Sequence, residues 1–304
     1  MVADNNGIDE TKDIMKEEIK TQPYWHGLTF FTIYLCSFLV PSILFFLYVF
    51  VFLYPNVMLT TSIIELFTYP ASLITFLLIP LVVIACYLVH LFFIALVTRF
   101  WWNLSEKLVP TKDGVIPRNI PSKTLNFYHI RSFMIKYPKN AFSKGPFPWL
   151  LRWMYNYVGS NKIGKGTTME EQVCGDRYIE IGKNSYIGVN SILTAHLVDG
   201  IFGNVSYFKL KVGDNVTMAA LNCIASGTQI SDNAYLLPLA SAAKFNVVKG
   251  ENYYYGIPLR KLRKGIIRRY LQISKEDMER DNELKNKLIS LQKETTIKNE
   301  EEQG

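Results

Sequence analysis

The chain has 304 residues, 49% apolar and 19% charged, and its 33 basic against 26 acidic side chains leave a formal net charge of +7. That length allows one or two domains, and so large an apolar fraction excludes a wholly disordered chain. The four cysteines, Cys36, Cys86, Cys174 and Cys223, show no CxxC or paired spacing, which excludes a disulfide framework and a zinc knuckle.

Residues 1–24 form a polar, acidic leader with little to bury, expected to be disordered. Leu28 to Tyr54 and Ala71 to Thr98 then hold no charged residue, and each exceeds the ~20 residues that a membrane-spanning helix needs. They predict a two-helix anchor over 25–102 rather than a cleaved signal, whose apolar run is only about 7 to 15 residues. Pro41 and Pro80 lie inside the spans, where they are expected to kink them, and Trp25, Trp101 and Trp102 flank them as interfacial anchors. His90 sits inside the second span. It reads as a neutral imidazole bonded to the neighbouring helix, with an intramembrane functional group as the alternative.

The connector Pro55 to Pro70 carries no Lys or Arg, whereas the leader has Lys12, Lys16 and Lys20 and the stretch from Arg99 to Lys165 has twelve basic residues. By the positive-inside rule both termini face the cytosol, with everything after the second span. Residues 103–162 interleave this basic charge with aromatic residues, among them Phe127, Tyr128, Phe133, Tyr137, Phe142, Trp149, Trp153 and Tyr157. On a soluble protein that pattern would suggest nucleic acid. Directly after a membrane span it reads as a collar on anionic lipid headgroups, so membrane lipid is the expected partner and nucleic acid is not. Pro146 to Tyr157 is predicted to be a short amphipathic helix covering the open end of the repeat region that begins at Ile163.

From Ile163 the chain repeats every six residues: Ile163, Met169, Gly175, Ile181, Ile187, Leu193, then Val212, Met218, Ile224, Ile230 and Leu236, each but Gly175 bulky and apolar. The next residue is small or acidic at every hexad but the last: Gly164, Glu170, Asp176, Gly182, Gly188, Thr194, Gly213, Ala219, Ala225, Ser231 and Leu237. A period of six fits a parallel β-helix with three short strands per eighteen-residue coil, the first residue pointing inward and the second small because the chain bends there. Thirteen residues too many separate Leu193 from Val212, and about Asp199 to Lys211 are expected to leave the coil as a loop. His196 stands at its root, in the outward-pointing fourth position of its hexad.

After the repeats, Phe245 to Gly256 is expected to leave the coil, and Gly256-Ile257-Pro258-Leu259-Arg260 to end it. Arg260, Lys261, Arg263, Lys264, Arg268 and Arg269 form a basic cluster suited either to the membrane surface or to the phosphates of a cofactor. Over 261–304 a charged C-terminal helix is predicted, capped by Ser274 with Asp277 at its third position and stapled by Ile273 to Met278. Leu284, Leu288 and Leu291 give it only a thin apolar seam.

The hexad register with the closing Gly256-Ile257-Pro258 resembles the left-handed β-helix acyltransferases, in which a Gly-x-Pro-Ala-Lys/Arg turn ends the coil near the acyl-CoA cleft; here Leu259 stands for the alanine. Glu180-Ile181-Gly182, Thr194-Ala195-His196-Leu197, Val212-Gly213-Asp214 and Gly256-Ile257-Pro258 are together similar to the membrane-bound terminal domain of polylysine-synthetase-type nonribosomal peptide synthetases. That domain comes there in three tandem copies. The resemblance implies an all-β left-handed parallel β-helix of about four coils over 163–260, preceded by two transmembrane helices and followed by a C-terminal helix. The chain has one copy and neither the adenylation nor the carrier domain of those synthetases, so the resemblance does not give its acyl donor; a coenzyme A thioester or a phosphopantetheine carrier is expected, with a carrier protein as a possible partner. A short prism and the resemblance together imply a homotrimer with its cleft between neighbouring prisms.

Acyl transfer to an amine or hydroxyl needs a base, and an imidazole titrates in the right range. His196 is therefore the candidate catalytic base, oriented by Asp199, by Glu180 or by an acid from another chain. Gly256, Pro258, Arg260 and Lys261 are the candidate cofactor contacts. No metal is expected, because the β-helical carbonic anhydrases need three zinc-binding histidines and these repeats hold one. The expected function is a membrane-anchored acyltransferase working at the cytosolic membrane face, and the alternative is a non-catalytic membrane scaffold built on a β-helix.

Overall fold

The computed structural model describes residues 23–60, 62–170, 177–200 and 203–263 and scattered positions between 266 and 290. Residues 1–22 of the expected disordered leader, Cys174, Gly175, Asp176, three members of the basic cluster (Lys264, Arg268, Arg269), the Ile273–Met278 staple, and Leu288 and Leu291 lie outside the described residues, whereas Pro23 and Tyr24, the leader's expected end, are helical. The chain divides into two compact units, Met1–Leu259 and Arg260–Gly304.

Two long helices open the first unit. α1 (Pro23–Tyr48) runs on through a π-helical stretch, Val49–Met58. The connector Ser62–Tyr69 holds α2 (Ile63–Thr68), capped by the Ser62 hydroxyl, and α3 (Pro70–Leu108) returns. The first helix thus outruns the expected span by four residues, passing through Pro55 rather than stopping at it. Pro55 has no N–H to give, and the wider π turn carries the chain past it, with Leu59 N donating to Tyr54 O at 3.2 Å. Both helices are long and apolar enough to cross a membrane, with only 17% and 11% of their most apolar windows buried.

The two helices are antiparallel, tied by Tyr48 Oη to Thr75 O (2.5 Å), Trp101 Nε1 to Thr32 Oγ1 (2.8 Å) and His90 Nδ1 to Ser37 O (2.8 Å). His90 is therefore bonded to the neighbouring helix, as its polarity demanded. Both Pro41 and Pro80 lie within unbroken helices.

The collar is three helices, α4 (Lys123–Met134), α5 (Lys136–Ser143) and α6 (Leu150–Val158), with a short strand β1 (Gly114–Ile116) before them. Many of its aromatic residues turn inward: Phe142 and Tyr155 are fully buried, and Phe133 and Tyr137 pack edge-on or tilted against Phe30 of α1. Trp149 stays exposed. Arg131 of α4 is buried and locks the end of α3. It donates from Nε to Ser105 Oγ (3.0 Å) and from Nη2 to the carbonyls of Ser105 (2.7 Å) and Val109, and it pairs with Glu106 (3.1 Å). Val109 caps the helix, and the Ser105 carbonyl accepts from Arg131 alongside Val109 N (3.0 Å).

Helix α6 seats the first coil, where Asn156 accepts from Ile163 N (2.8 Å) and donates to Ile163 O (2.9 Å). From there β2 (Lys162–Ile163), β3 (Thr168–Met169), β4 (Ile179–Ile181), β5 (Tyr186–Ile187) and β6 (Ile192–Leu193) begin three parallel sheets. A hairpin of β7 (His196–Asp199) and β8 (Asn204–Tyr207) intervenes before β9 (Leu210–Val212), β10 (Thr217–Met218), β11 (Cys223–Ile224), β12 (Gln229–Ile230), β13 (Tyr235–Leu236), β14 (Ser241–Ala242), β15 (Val247–Val248) and β16 (Tyr253–Tyr255). The sheets order β2-β4-β9-β12-β15, β3-β5-β10-β13-β16 and β6-β11-β14, and the chain visits them in rotation. Ile230 pairs with Val212 and with Val248, eighteen residues away on either side. Ile181 pairs with Val212 at thirty-one, the excess being the thirteen inserted residues.

The inward positions are buried as the register requires: Ile187, Met218, Leu193, Ile224 and Leu236 show no exposed surface. Truncating one to alanine costs about 2–5 kcal/mol. The register also runs further than expected. Ala242, Val248 and Tyr254 continue it and are buried, so Phe245 to Gly256 does not leave the coil. Alanine and tyrosine at inward positions hide the pattern in a list of bulky aliphatics.

The bend is also displaced from its expected place. Positive φ falls at the fourth residue of the hexads, at Gly166, Tyr178, Asn184, Asn190, Asn215, Leu221, Gly227, Asn233, Leu239, Phe245 and Glu251. The second residue is small for another reason. A Cβ on Gly182 would meet the Gly213 backbone at 2.5 Å, and one on Gly164 would meet the Gly182 carbonyl at 2.5 Å, so adjacent coils approach too closely there for a side chain.

Of the second unit, Arg260 and Lys261 are exposed. Ser274 accepts from Asp277 N (3.0 Å) while Asp277 Oδ2 accepts from Ser274 N (3.3 Å), the reciprocal cap its sequence predicted.

Candidate functional site

His196 is the fourth residue of its hexad, yet it is not among the positive-φ residues that turn the other corners. The chain does not bend there. It runs straight on as β7, turns near Gly200 and Gly203, both at positive φ, and returns as β8. The expected loop is therefore a β-hairpin that starts at His196, three residues earlier than expected. Its far edge is taken by β1, Ile116 facing Val205 and Gly114 facing Tyr207, so the backbone groups of β8 have partners on both sides. Leu197-Val198-Asp199-Gly200 and Gly203-Asn204-Val205-Ser206 carry the turn and strand residues that signal a hairpin.

The hairpin register sets His196 directly opposite Tyr207. Opposed residues point to the same face of a strand pair, and Tyr128 of the collar fills the space beside both, its ring 5.8 Å from His196 and 5.5 Å from Tyr207, edge-on to each. The Thr194 hydroxyl brackets the histidine, donating to His196 O (2.7 Å), accepting from His196 N (3.2 Å) and lying 3.4 Å from Nδ1. Behind the rings is Arg177, buried, its guanidinium carbon 4.5 Å from the Tyr128 centroid and 5.5 Å from that of Tyr207. Burial pushes both phenols up against the pull of the Arg177 charge. Burial, then the charges of Arg118 and His26, hold the His129 imidazole below its ordinary range, which keeps it neutral.

Asp199, three residues along the strand from His196, faces the other side of the hairpin. A hydrogen bond from Lys244 holds its carboxyl below the ordinary range, and Ser206 Oγ also donates to it, at 3.0 Å. Glu180 binds Lys209 (3.0 Å) and Lys162 (3.4 Å). The structure therefore gathers Tyr128, Arg177 and Tyr207 around His196, and ties Asp199 and Glu180 to lysines. Tyr207 was within reach of the sequence once the hairpin was seen; Tyr128 comes from a helix 68 residues before His196, and no local pattern announces it.

Gly256 closes the coil at φ +78, its carbonyl accepting from Ser241 N at 3.0 Å, and Pro258 follows a cis peptide bond. Gly256 thus extends the ladder β6-β11-β14 and stands three strand spacings, about 14 Å, along it from the strand that leads to His196. Among the described residues no group of three His, Cys, Asp or Glu side chains is placed to hold a metal ion.

No family model and no curated protein matches the chain. Among solved structures it is similar to a hexapeptide-repeat-containing acetyltransferase from Vibrio cholerae complexed with acetyl coenzyme A, at 18% identity and a TM-score of 0.33 over 35% of this chain and 61% of that one. A hexapeptide transferase family protein from Anaplasma phagocytophilum matches at 20% identity and a TM-score of 0.28, over 42% and 65%. A variant of an N-acyltransferase from Bacillus cereus, in complex with dTDP and coenzyme A, matches at 15% identity and a TM-score of 0.32, over 43% and 82%. The chain spans less than two thirds of the first two. Likenesses this distant assign no activity.

Proposed function

We propose that the protein is a membrane-anchored acyltransferase, its three parallel sheets forming the faces of a left-handed β-helix, that moves an acyl group from a thioester to an amine or hydroxyl at the cytosolic membrane face. The observation that carries this reading is a departure from the corner pattern: at His196 the coil opens into a hairpin that presents an imidazole among Thr194, Tyr128 and Tyr207. A neutral imidazole there would take the proton of the attacking amine or hydroxyl. The thioester arm, of coenzyme A or of a carrier-bound phosphopantetheine, lies along the ladder from the Gly256–Pro258 turn to His196. The apolar, uncovered α1 and α3 anchor the enzyme in the bilayer. Three copies complete the cleft as a homotrimer, since a short prism buries little core by itself.

Purified protein in mild detergent tests the reading by binding of radiolabelled acetyl coenzyme A and by native mass spectrometry. Saturable binding lost in Gly256→Val, with a trimeric mass, is expected. A strictly monomeric mass contradicts the trimer, and the absence of both binding and thioester hydrolysis contradicts the enzyme and leaves a scaffold.

A further inference from the structure

A cleft of about 240 Å³ opens where the end of α3, the first coil and the hairpin meet, with Trp102 of α3, Ser160, Lys162, Glu180, Tyr207 and Lys209 in its walls. Its acids are already answered. Glu106 accepts from Thr111 N (2.9 Å) and Oγ1 (2.6 Å) and pairs with Arg131, Glu180 has its two lysines, and Asp113 just behind accepts from Lys209 N (2.8 Å). What is left unanswered can donate. Ser160 Oγ and Tyr207 Oη are buried without a hydrogen-bond partner, and so are Nε, Nη1 and Nη2 of Arg177, which stands behind the Tyr207 ring. Arg177 acts on the Tyr207 and Tyr128 hydroxyls through its charge and from hydrogen-bonding range, but no well-aligned hydrogen bond joins its nitrogens to either. Among the described residues no carboxylate pairs with this guanidinium. A buried charge and two buried hydroxyls left this way are costly unless something supplies acceptors.

We propose that this cleft binds a phosphoryl group, gripped by the Tyr207 and Ser160 hydroxyls and the Lys162 and Lys209 ammoniums, with Arg177 behind Tyr207 supplying positive charge that no described carboxylate offsets. Lysines bind phosphate as point charges, and hydroxyl donors add direction. Donors from separate chain positions suit a tetrahedral anion with several oxygens better than a planar carboxylate with two. The cleft's small volume suits a phosphoryl on a short polyol. The bearer is either a free phosphorylated metabolite or the headgroup of a membrane lipid, which Trp102 at the end of the apolar helix places within reach. The inference does not depend on the acyl-transfer reading, because its test reads binding alone.

The test uses full-length protein in mild detergent with glycerol 3-phosphate, and in nanodiscs with phosphatidic acid against phosphatidylcholine, followed by the shift in thermal midpoint. Binding of glycerol 3-phosphate in detergent marks a soluble ligand. A midpoint raised by phosphatidic acid but not by phosphatidylcholine, with no response to glycerol 3-phosphate, marks a lipid headgroup. In either case Lys209→Gln and Tyr207→Phe each weaken binding at least tenfold, whereas Lys165→Gln, which removes an exposed charge outside the cleft, leaves it unchanged. Without ligand, Tyr207→Phe keeps or raises the midpoint, since it removes a hydroxyl with no partner. The proposal is overturned if neither phosphate probe binds, if Lys165→Gln weakens binding as much as Lys209→Gln, or if glycerate binds as tightly as glycerol 3-phosphate.

Discussion

His90 Nδ1 lies 2.8 Å from the carbonyl oxygen of Ser37, the one carbonyl of α1 whose partner four residues on is Pro41 and therefore has no N–H to give. The imidazole of one long apolar helix thus replaces the hydrogen bond that a proline removes from the other. A carbonyl only accepts, so Nδ1 is the donor of this bond, and Nε2 faces the Tyr137 hydroxyl at 3.4 Å.

The replacement predicts a coupling between two distant positions. His90→Ala should destabilise the wild type by about 0.6–2 kcal/mol, and much less once Pro41→Ala has restored the helix's own donor to Ser37. Thermal melts of the four proteins in one detergent give the double-mutant cycle. An equal loss in both backgrounds would show that the bond contributes nothing.

The corner positions predict stabilisation where a bulky residue holds positive φ. Leu239 has φ +62 and is exposed, so its side chain contributes little packing while its backbone is strained. Leu239→Gly should stabilise by up to about 1 kcal/mol, the relief of the left-handed strain less the extra chain entropy of glycine. Asn233→Leu should do the opposite. A lower midpoint for Leu239→Gly in thermal denaturation contradicts the corner assignment.

The inward stack from Ile163 to Leu236 was legible because one face of a period-six chain must be apolar, and the count of thirteen extra residues followed from that period. The continuation through Ala242, Val248 and Tyr254 was obscured because a narrow interior accepts alanine and an end accepts tyrosine. The corner residue was misplaced by two positions, since glycine serves close approach as well as positive φ, and the Gly164 and Gly182 positions need the former. Around His196 only the histidine itself was visible. Its neighbours Tyr128, Arg177 and Tyr207 come from a helix, a coil and a hairpin strand that tertiary packing alone brings together.

The lysines on Glu180 predict a pH dependence. Burial raises its carboxyl, but hydrogen bonds and charge from Lys209 and Lys162 outweigh this and leave it below the ordinary value of 4.5. A depressed carboxyl contributes stability that is fully present above its unfolded pKa and is lost as pH falls through the folded one. The midpoint of wild type should therefore exceed that of Glu180→Gln at neutral pH, and the difference should shrink as pH drops below about 4.5. A difference constant from pH 7 to pH 3 would contradict the ion-pair account.

The sharpest test is thiol release from acetyl coenzyme A by nanodisc-embedded protein supplied with a mixture of small amines and alcohols, comparing wild type with His196→Ala at matched thermal midpoint. Removing a general base should lower turnover about 10²- to 10⁴-fold, and Asp199→Asn should be milder, because Asp199 faces Lys244 and Ser206. Turnover undiminished in His196→Ala, with its fold and midpoint intact, would contradict the assignment of His196 as the base.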